Sequence, residues 1–167
     1  MDRPVSEVMS REMVVLEEWE NLLDVARDMN RHHLRHLPVV DDGRLVGLVS
    51  HRDLLKFTTS SLDSTAAAGL RDFHKREQTF VREIMTTPVL CVKATTPVLE
   101  AVQMLVQAKF GALPVVDDDD MLVGIVSEHD LLKVLAGMLT GEMEQWDAAR
   151  AASRLVPSMV DRDDPLP

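Results

Sequence analysis

Leu37-Pro38-Val39-Val40-Asp41, followed by Gly47-Leu48-Val49-Ser50-His51-Arg52-Asp53-Leu54-Leu55-Lys56, decides the fold because it is written twice. It returns as Leu113-Pro114-Val115-Val116-Asp117 and Gly124-Ile125-Val126-Ser127-Glu128-His129-Asp130-Leu131-Leu132-Lys133. The match extends backwards, with Val5-Ser6-Glu7-Val8-Met9 echoed by Val81-Arg82-Glu83-Ile84-Met85. Self-similarity at so long a period means that one supersecondary unit is used twice. The copies cover residues 3–58 and 79–136, with one extra residue in the 117–121 turn.

Outward from that stretch, each copy reads as strand, helix, strand, strand, helix. Pro4 to Met9 predicts a short helical turn, and Met13-Val14-Val15-Leu16 a short strand. From Glu20 to His33 the residues Leu22, Ala26 and Met29 recur at helical spacing, which places Arg27, Asp28 and Asn30 outside. Pro38 disfavours helix in the residue before it, so this helix should end by Arg35. Leu37–Asp41 and Leu45–Ser50, joined by Asp42-Gly43, predict a hairpin. Ser50 then opens a helix through Asp53, Leu54 and Lys56. The second copy repeats the order at Val89–Val92, Val98–Ala108, Pro114–Asp117, Leu122–Val126 and Glu128–Leu139. The expected class is α/β (α+β), and copies this small should bury their sheets by packing together.

The division predicted is a first motif at 1–58, a linker at 59–78, a second motif at 79–136 and a C-terminal helical extension with tail at 137–167. Ala66–Lys75 is the helical stretch of the linker. The extension carries a stripe of Leu135, Met138, Leu139 and Trp146, read as a packing surface against self or a partner chain.

Composition narrows the function classes. The 167 residues carry a net charge of −10, which argues against nucleic acid, whose phosphates are bound by clustered Lys and Arg. Asp117–Asp120 is read as a solvated hairpin tip, since its neighbours lack the ligand spacing of a calcium loop. Cys91 is the only cysteine, so no internal disulfide forms; within Val89-Leu90-Cys91-Val92 it reads as a small buried hydrophobe. No apolar run approaches a membrane span, and Met1-Asp2-Arg3-Pro4 lacks a signal-peptide pattern, so a cytoplasmic setting is expected. No activated nucleophile, no carboxylate pair in distinct environments and no Walker-type loop is present, so no enzymatic activity is expected.

Gly-x-x-Ser-x-x-Asp occurs at Gly47/Ser50/Asp53 and at Gly124/Ser127/Asp130. Two readings stand side by side. Ser-x-x-Asp at a helix start is close to a capping box, worth about 1 kcal/mol of helix stability. Alternatively the motif is a ligand grip. Both copies keep Asp where Glu suits the box better, and a glycine without a side chain lets a flat ligand approach the backbone. A helix N-terminus with a hydroxyl suits phosphate. A carboxylate one turn in would repel phosphate, yet it could accept two hydrogen bonds from a ribose diol. Arg35, His36, His51 and Arg52 are the candidate anion contacts of the first copy, against a solvated surface. The second offers only Lys109 and His129. His32 and His36 have the spacing of a metal pair, but Pro38 ends the helix and no third ligand is evident, so no metal is expected. His33 ends the apolar stripe and reads as packing.

The doubled pattern of Val-x-x-Val/Ile-Met, Leu-Pro-Val-Val-Asp, hairpin, Gly-h-h-Ser-x-x-Asp and Leu-Leu-Lys closely resembles tandem cystathionine-β-synthase (CBS) domains. The resemblance implies two βαββα motifs related by a pseudo-two-fold axis, with clefts between them that bind AMP, ADP, ATP or S-adenosylmethionine. It implies a homodimer and no redox or metal cofactor. Asp53 and Asp130 would hold ribose hydroxyls, and Ser50 and Ser127 the ribose or first phosphate. Val14, His36 and Pro38 would wall one adenine; Val89, Ala112 and Pro114 would wall the other. Arg35, His51, Arg52 and His129 remain the phosphate candidates. The expected function is a regulatory ligand-sensing module that signals to its dimer mate or to a separate effector protein, with no membrane partner. The alternatives are a non-binding dimerisation scaffold and a regulatory subunit docking on an enzyme or transporter.

Overall fold

Asp42 and Gly43 both take positive φ, 48° and 80°, the geometry that closes a two-residue hairpin in register with strand twist. The structure, a computed structural model, describes residues 3–58 and 73–140. In it β1 (His36–Asp41) pairs antiparallel with β2 (Arg44–Ser50), placing His36 opposite Ser50. The second hairpin has three loop residues, Asp118-Asp119-Asp120, and Asp120 closes the loop at φ 63°. Asp117 supports it by accepting the Asp119 and Met121 amides on Oδ1 at 3.0 and 2.9 Å. This is the hydrogen-bonded turn that Asp favours, and it absorbs the residue inserted between the copies.

The first sheet has two strands, β1 and β2; the second has three, with β3 (Val92–Lys93) parallel to β4 (Ala112–Val116), itself antiparallel to β5 (Leu122–Ser127). Both hairpins carry the same bulge, Val46 and Val123 being passed over just before Gly47 and Gly124. Two expected strands are corrected. Met13–Leu16 is not a continuous strand: Met13 and Leu16 make isolated bridges, Leu16 with Val39, and a turn follows at residues 18–19. In the second copy the pairing residues are Val92 and Lys93 rather than Val89–Val92, with Leu90 turned to solvent.

α1 (Leu22–Arg31) starts at Asn21, whose side chain accepts the Asp24 amide at 3.0 Å. It ends two residues before the expected His33. His32 takes the C-terminal cap, its amide on the Asp28 carbonyl at 3.0 Å, and His33 reverses the chain at φ 53°. Two placements are corrected, Asp28 being buried rather than outside and His33 exposed rather than packed, and His32 is buried. α2 (His51–Thr58) follows β2; residues 73–78 are helical (α3); α4 (Val98–Ala108) and α5 (Glu128–Thr140) complete the second set. Most of the expected Ala66–Lys75 stretch, and Trp146, lie outside the described residues.

The described chain divides into two units, one holding residues 14–89 and the other residues 3–13 with 90–140. The leading segments of the two copies have therefore changed places. Val5 and Ser6 donate their amides to the Thr96 and Ala94 carbonyls at 2.8 and 2.9 Å, and Ser10 and Ile125 exchange both backbone bonds. Val81 and Arg82 donate to Glu20 and Glu18 at 2.8 and 3.0 Å, and Thr86 exchanges bonds with Leu48. Val5, Val8 and Met9 accordingly sit in the core beside Leu113 and Val126, while Val81 sits in the core beside Leu37 and Val49.

The glycines follow from this exchange. A Cβ on Gly124 would stand 2.6 Å from Met9 Sδ and 3.0 Å from the Ser10 carbonyl oxygen, and one on Gly47 would overlap the Met85 thioether. The missing side chain makes room for a methionine, which corrects the expectation of a backbone left open to a flat ligand. Gly124→Ala is expected to destabilise the protein by about 1–3 kcal/mol, the usual cost of overpacking a filled site. Gly47→Ala should cost less, because no backbone atom stands so close there. Urea unfolding of the two variants checks the order.

Candidate functional site

The serine and aspartate of each copy meet at the turn from strand to helix, Ser50 ending β2 ahead of α2 and Ser127 ending β5 ahead of α5. Asp53 Oδ2 accepts the Ser50 amide at 3.0 Å and the Ser50 hydroxyl at 2.5 Å; the Asp53 amide returns a bond to Ser50 Oγ at 3.3 Å. Asp130 Oδ2 accepts the Ser127 amide and hydroxyl at 2.9 and 2.6 Å, and its amide bonds Ser127 Oγ at 3.3 Å. Both are capping boxes with Asp in the role of Glu. The capping geometry is realised, and it uses one oxygen of each carboxylate.

The other oxygen distinguishes the copies. Lys56 Nζ lies 3.1 Å from Asp53 Oδ1, whereas Asp130 Oδ1 accepts the Ser10 hydroxyl at 3.4 Å. Burial pushes the Asp53 carboxyl up, but the hydrogen bonds from Ser50 and Lys56 and the lysine charge outweigh it and hold the pKa below the ordinary carboxylate value. Asp53 is therefore an anion at neutral pH. A carboxylate oxygen has two lone-pair directions, so Oδ1 can accept one further donor in each copy while the cap fixes its orientation. Asp130 is 6% exposed, so a bond made to it is shielded from water and stronger for it.

The hairpin register sets one expected adenine-wall residue of each copy across from the serine. His36 faces Ser50 and Ala112 faces Ser127 across the strands. Arg35 and Gly111, just upstream, accept the His51 and Glu128 amides at 2.8 and 3.0 Å. Pro38, Ala112 and Pro114 are buried, and His36 is half-buried. Val14 is 1% exposed and belongs to the core of the first unit. Val89 falls in that same unit of residues 14–89, whereas Ala112 and Pro114 lie in the other. Arg35, His51, Arg52 and His129 are all exposed, the last three on the first turns of α2 and α5.

Ser10 is the site residue that sequence reading missed. The signal was available: Ser10 and Thr86 are the hydroxyl residues directly after the repeated methionines. What hid it was the exchange, which delivers Ser10 to Asp130 across 120 residues. Among the described residues no group of three or more His, Cys, Asp or Glu could hold a metal ion. Cys91 is partly buried, and burial with the nearby Asp120 outweighs Lys93 to keep its thiol pKa raised. No helix among the described residues is long and apolar enough to cross a membrane.

The family described as CBS domain matches the chain at residues 5–59 and 81–137. The chain is 37% identical over 134 residues to the uncharacterized protein MJ1225 of Methanocaldococcus jannaschii, covering 79% of this chain and 47% of that protein. It thus spans about half the length of that relative. Among solved structures it is similar to CBSX2 of Arabidopsis thaliana in complex with AMP, with a TM-score of 0.69, 27% identity, and coverage of 81% and 97% of the two chains. It is also similar to the CBS domain pair of protein MJ0100 in complex with 5-methylthioadenosine and S-adenosyl-L-methionine, at TM-score 0.64, 25% identity and coverage of 80% and 99%.

Proposed function

The chain belongs to the CBS-domain family, and on that premise we propose that it is a regulatory module that senses adenosine-containing ligands. CBSX2 is known with AMP and the MJ0100 pair with methylthioadenosine and S-adenosylmethionine; the group common to the three ligands is adenosine with a ribose that keeps its diol. The observation that carries the reading is the division of labour within each carboxylate. Oδ2 of Asp53 and of Asp130 closes the cap, and Oδ1 is presented in a fixed direction with acceptor capacity left.

In this reading Asp53 and Asp130 grip ribose hydroxyls, and Ser10 shares the grip at Asp130. Ser50 and Ser127 lie against the ribose or first phosphate. His36 and Pro38 flank the base of the first site with Val14 behind, and Ala112 with Pro114 flank that of the second. Arg35, His51 and Arg52 attend the phosphates of the first site, and His129 those of the second. The richer basic complement suits the first site to AMP, ADP or ATP. The second suits S-adenosylmethionine, whose sulfonium needs no cationic neighbours. The role is binding without chemical conversion, carried out in the cytoplasm by a homodimer that passes its state to an effector protein.

Titration calorimetry of the full chain with AMP and with S-adenosylmethionine tests the reading. Saturable heat with either ligand supports it. The caps alone would favour a scaffold that binds neither, and flat titrations with both ligands at millimolar concentration would establish that instead.

A further inference from the structure

Each unit holds one methionine against the glycine that precedes its serine by three residues. Met85 Sδ fills the place that a Cβ on Gly47 would take, and Met9 Sδ does the same at Gly124. Each methionine is followed by a hydroxyl residue whose backbone is tied to the strand beside that glycine. Thr86 and Leu48 exchange bonds at 2.9 and 3.2 Å, and Ser10 and Ile125 do so at 2.8 and 3.0 Å. The arrangement is the same twice, but its access to solvent is not. Met9 is 3% exposed and belongs to the core of its unit, whereas Met85 is half-buried and packs against the core of the first unit from outside it.

We propose that Met85 is an oxidation site, at which a hydroperoxide loosens the Ser50–Asp53 site and spares the Ser127–Asp130 site. The thioether sulfur attacks one oxygen of hydrogen peroxide. The O–O bond breaks, a sulfur–oxygen bond forms, and the second oxygen takes the proton of the first and leaves as water. Sulfur is oxidised, peroxide is reduced, and no other reactant is required. The product is polar and chiral where the thioether was flexible and apolar. Gly47 lies against Met85 Sδ with no room for even a methyl carbon, and close-packed interiors pass added volume on as displacement. The load falls on the Thr86–Leu48 bonds, and Leu48 stands two residues before Ser50 on β2. The cap that orients Asp53 is thereby disturbed, while the second site keeps its buried Met9. Two thiols reverse the change, the oxygen leaving as water and the sulfurs joining as a disulfide. Cys91, the only cysteine, competes poorly for peroxide because its raised pKa keeps the thiol protonated. The consequence for ligand rests on the adenosine reading above; the oxidation and its effect on the backbone do not.

Dilute hydrogen peroxide on the full chain, followed by peptide mass mapping and hydrogen exchange, tests this. Met85 should be oxidised well before Met9. Once Met85 is modified, the Leu48 and Thr86 amides should lose protection, and those of Ser10 and Ile125 should keep it. Affinity for AMP at the first site should fall at least about 10-fold, the worth of one charge-assisted bond at Asp53. Treatment with a methionine sulfoxide reductase and a dithiol should restore both. Met85→Leu, close to methionine in volume, should keep its amides protected through the same peroxide treatment. Oxidation of Met85 no faster than of Met9 overturns the proposal, and so does a modified Met85 with Leu48 and Thr86 still protected. A Met85→Leu protein that still loses that protection places the effect at another residue and overturns it too. Untreated protein that binds no AMP overturns the adenosine reading alone, because the exchange readout needs no ligand.

Discussion

Asp130→Ala is expected to lower the affinity for AMP or S-adenosylmethionine at the second site by at least about 10-fold. A hydrogen bond to a charged group is worth roughly 1.5–3 kcal/mol, and the one further donor that Oδ1 can accept is lost with it. Asp53→Ala should do likewise at the first site by a smaller factor, because Asp53 is the more exposed carboxylate and already shares Oδ1 with the Lys56 ammonium. The double variant should bind neither ligand. Each substitution also opens a cap, which costs about 1 kcal/mol of stability, so melting temperatures must be read beside the titrations. A modest fall in melting temperature with binding intact would mean that the aspartates serve the helices only.

Removing residues 1–11 is expected to unfold the second unit, not the first copy in which those residues are written. Val5, Val8 and Met9 are buried beside Leu113 and Val126. At roughly 1.5–3 kcal/mol per buried side chain, their loss costs about 5–9 kcal/mol. That approaches the whole stability of an ordinary domain, about 5–15 kcal/mol. Hydrogen exchange of the truncated chain should show protection lost across β4, β5 and α4 and kept across β1, β2 and α1. The first unit retains its own counterpart, Val81 with Ile84 and Met85. Loss of protection in β1 and β2 instead would show that the segment serves its own repeat.

This exchange was the largest feature the amino-acid pattern could not disclose, and the reason is the repeat itself. Val5-Ser6-Glu7-Val8-Met9 and Val81-Arg82-Glu83-Ile84-Met85 are so alike that either completes either unit; only the connections decide, and Thr96 and Glu20 supply the backbone partners. The hairpins were legible because turn chemistry is local: Asp42-Gly43 permits one tight geometry, and the inserted aspartate of the second copy only lengthens the loop. The end of α1 was not, because it depends on His33 accepting a left-handed conformation, and that turn leaves His33 exposed. At the site, Ser and Asp at helix starts were plain from spacing. Which carboxylate oxygen is committed to the cap is a matter of geometry, and so is the occupation of the space over Gly47 and Gly124 by methionines.

The central claim is that Oδ1 of each aspartate holds a hydroxyl of the ribose diol. Titrating the protein in parallel with AMP and with its 2′,3′-dideoxy analogue tests it most directly, because the two differ only in the hydroxyls in question. The account predicts saturable AMP binding and an analogue at least about 10-fold weaker, the loss of a charge-assisted bond. Equal affinity for the two compounds would contradict it.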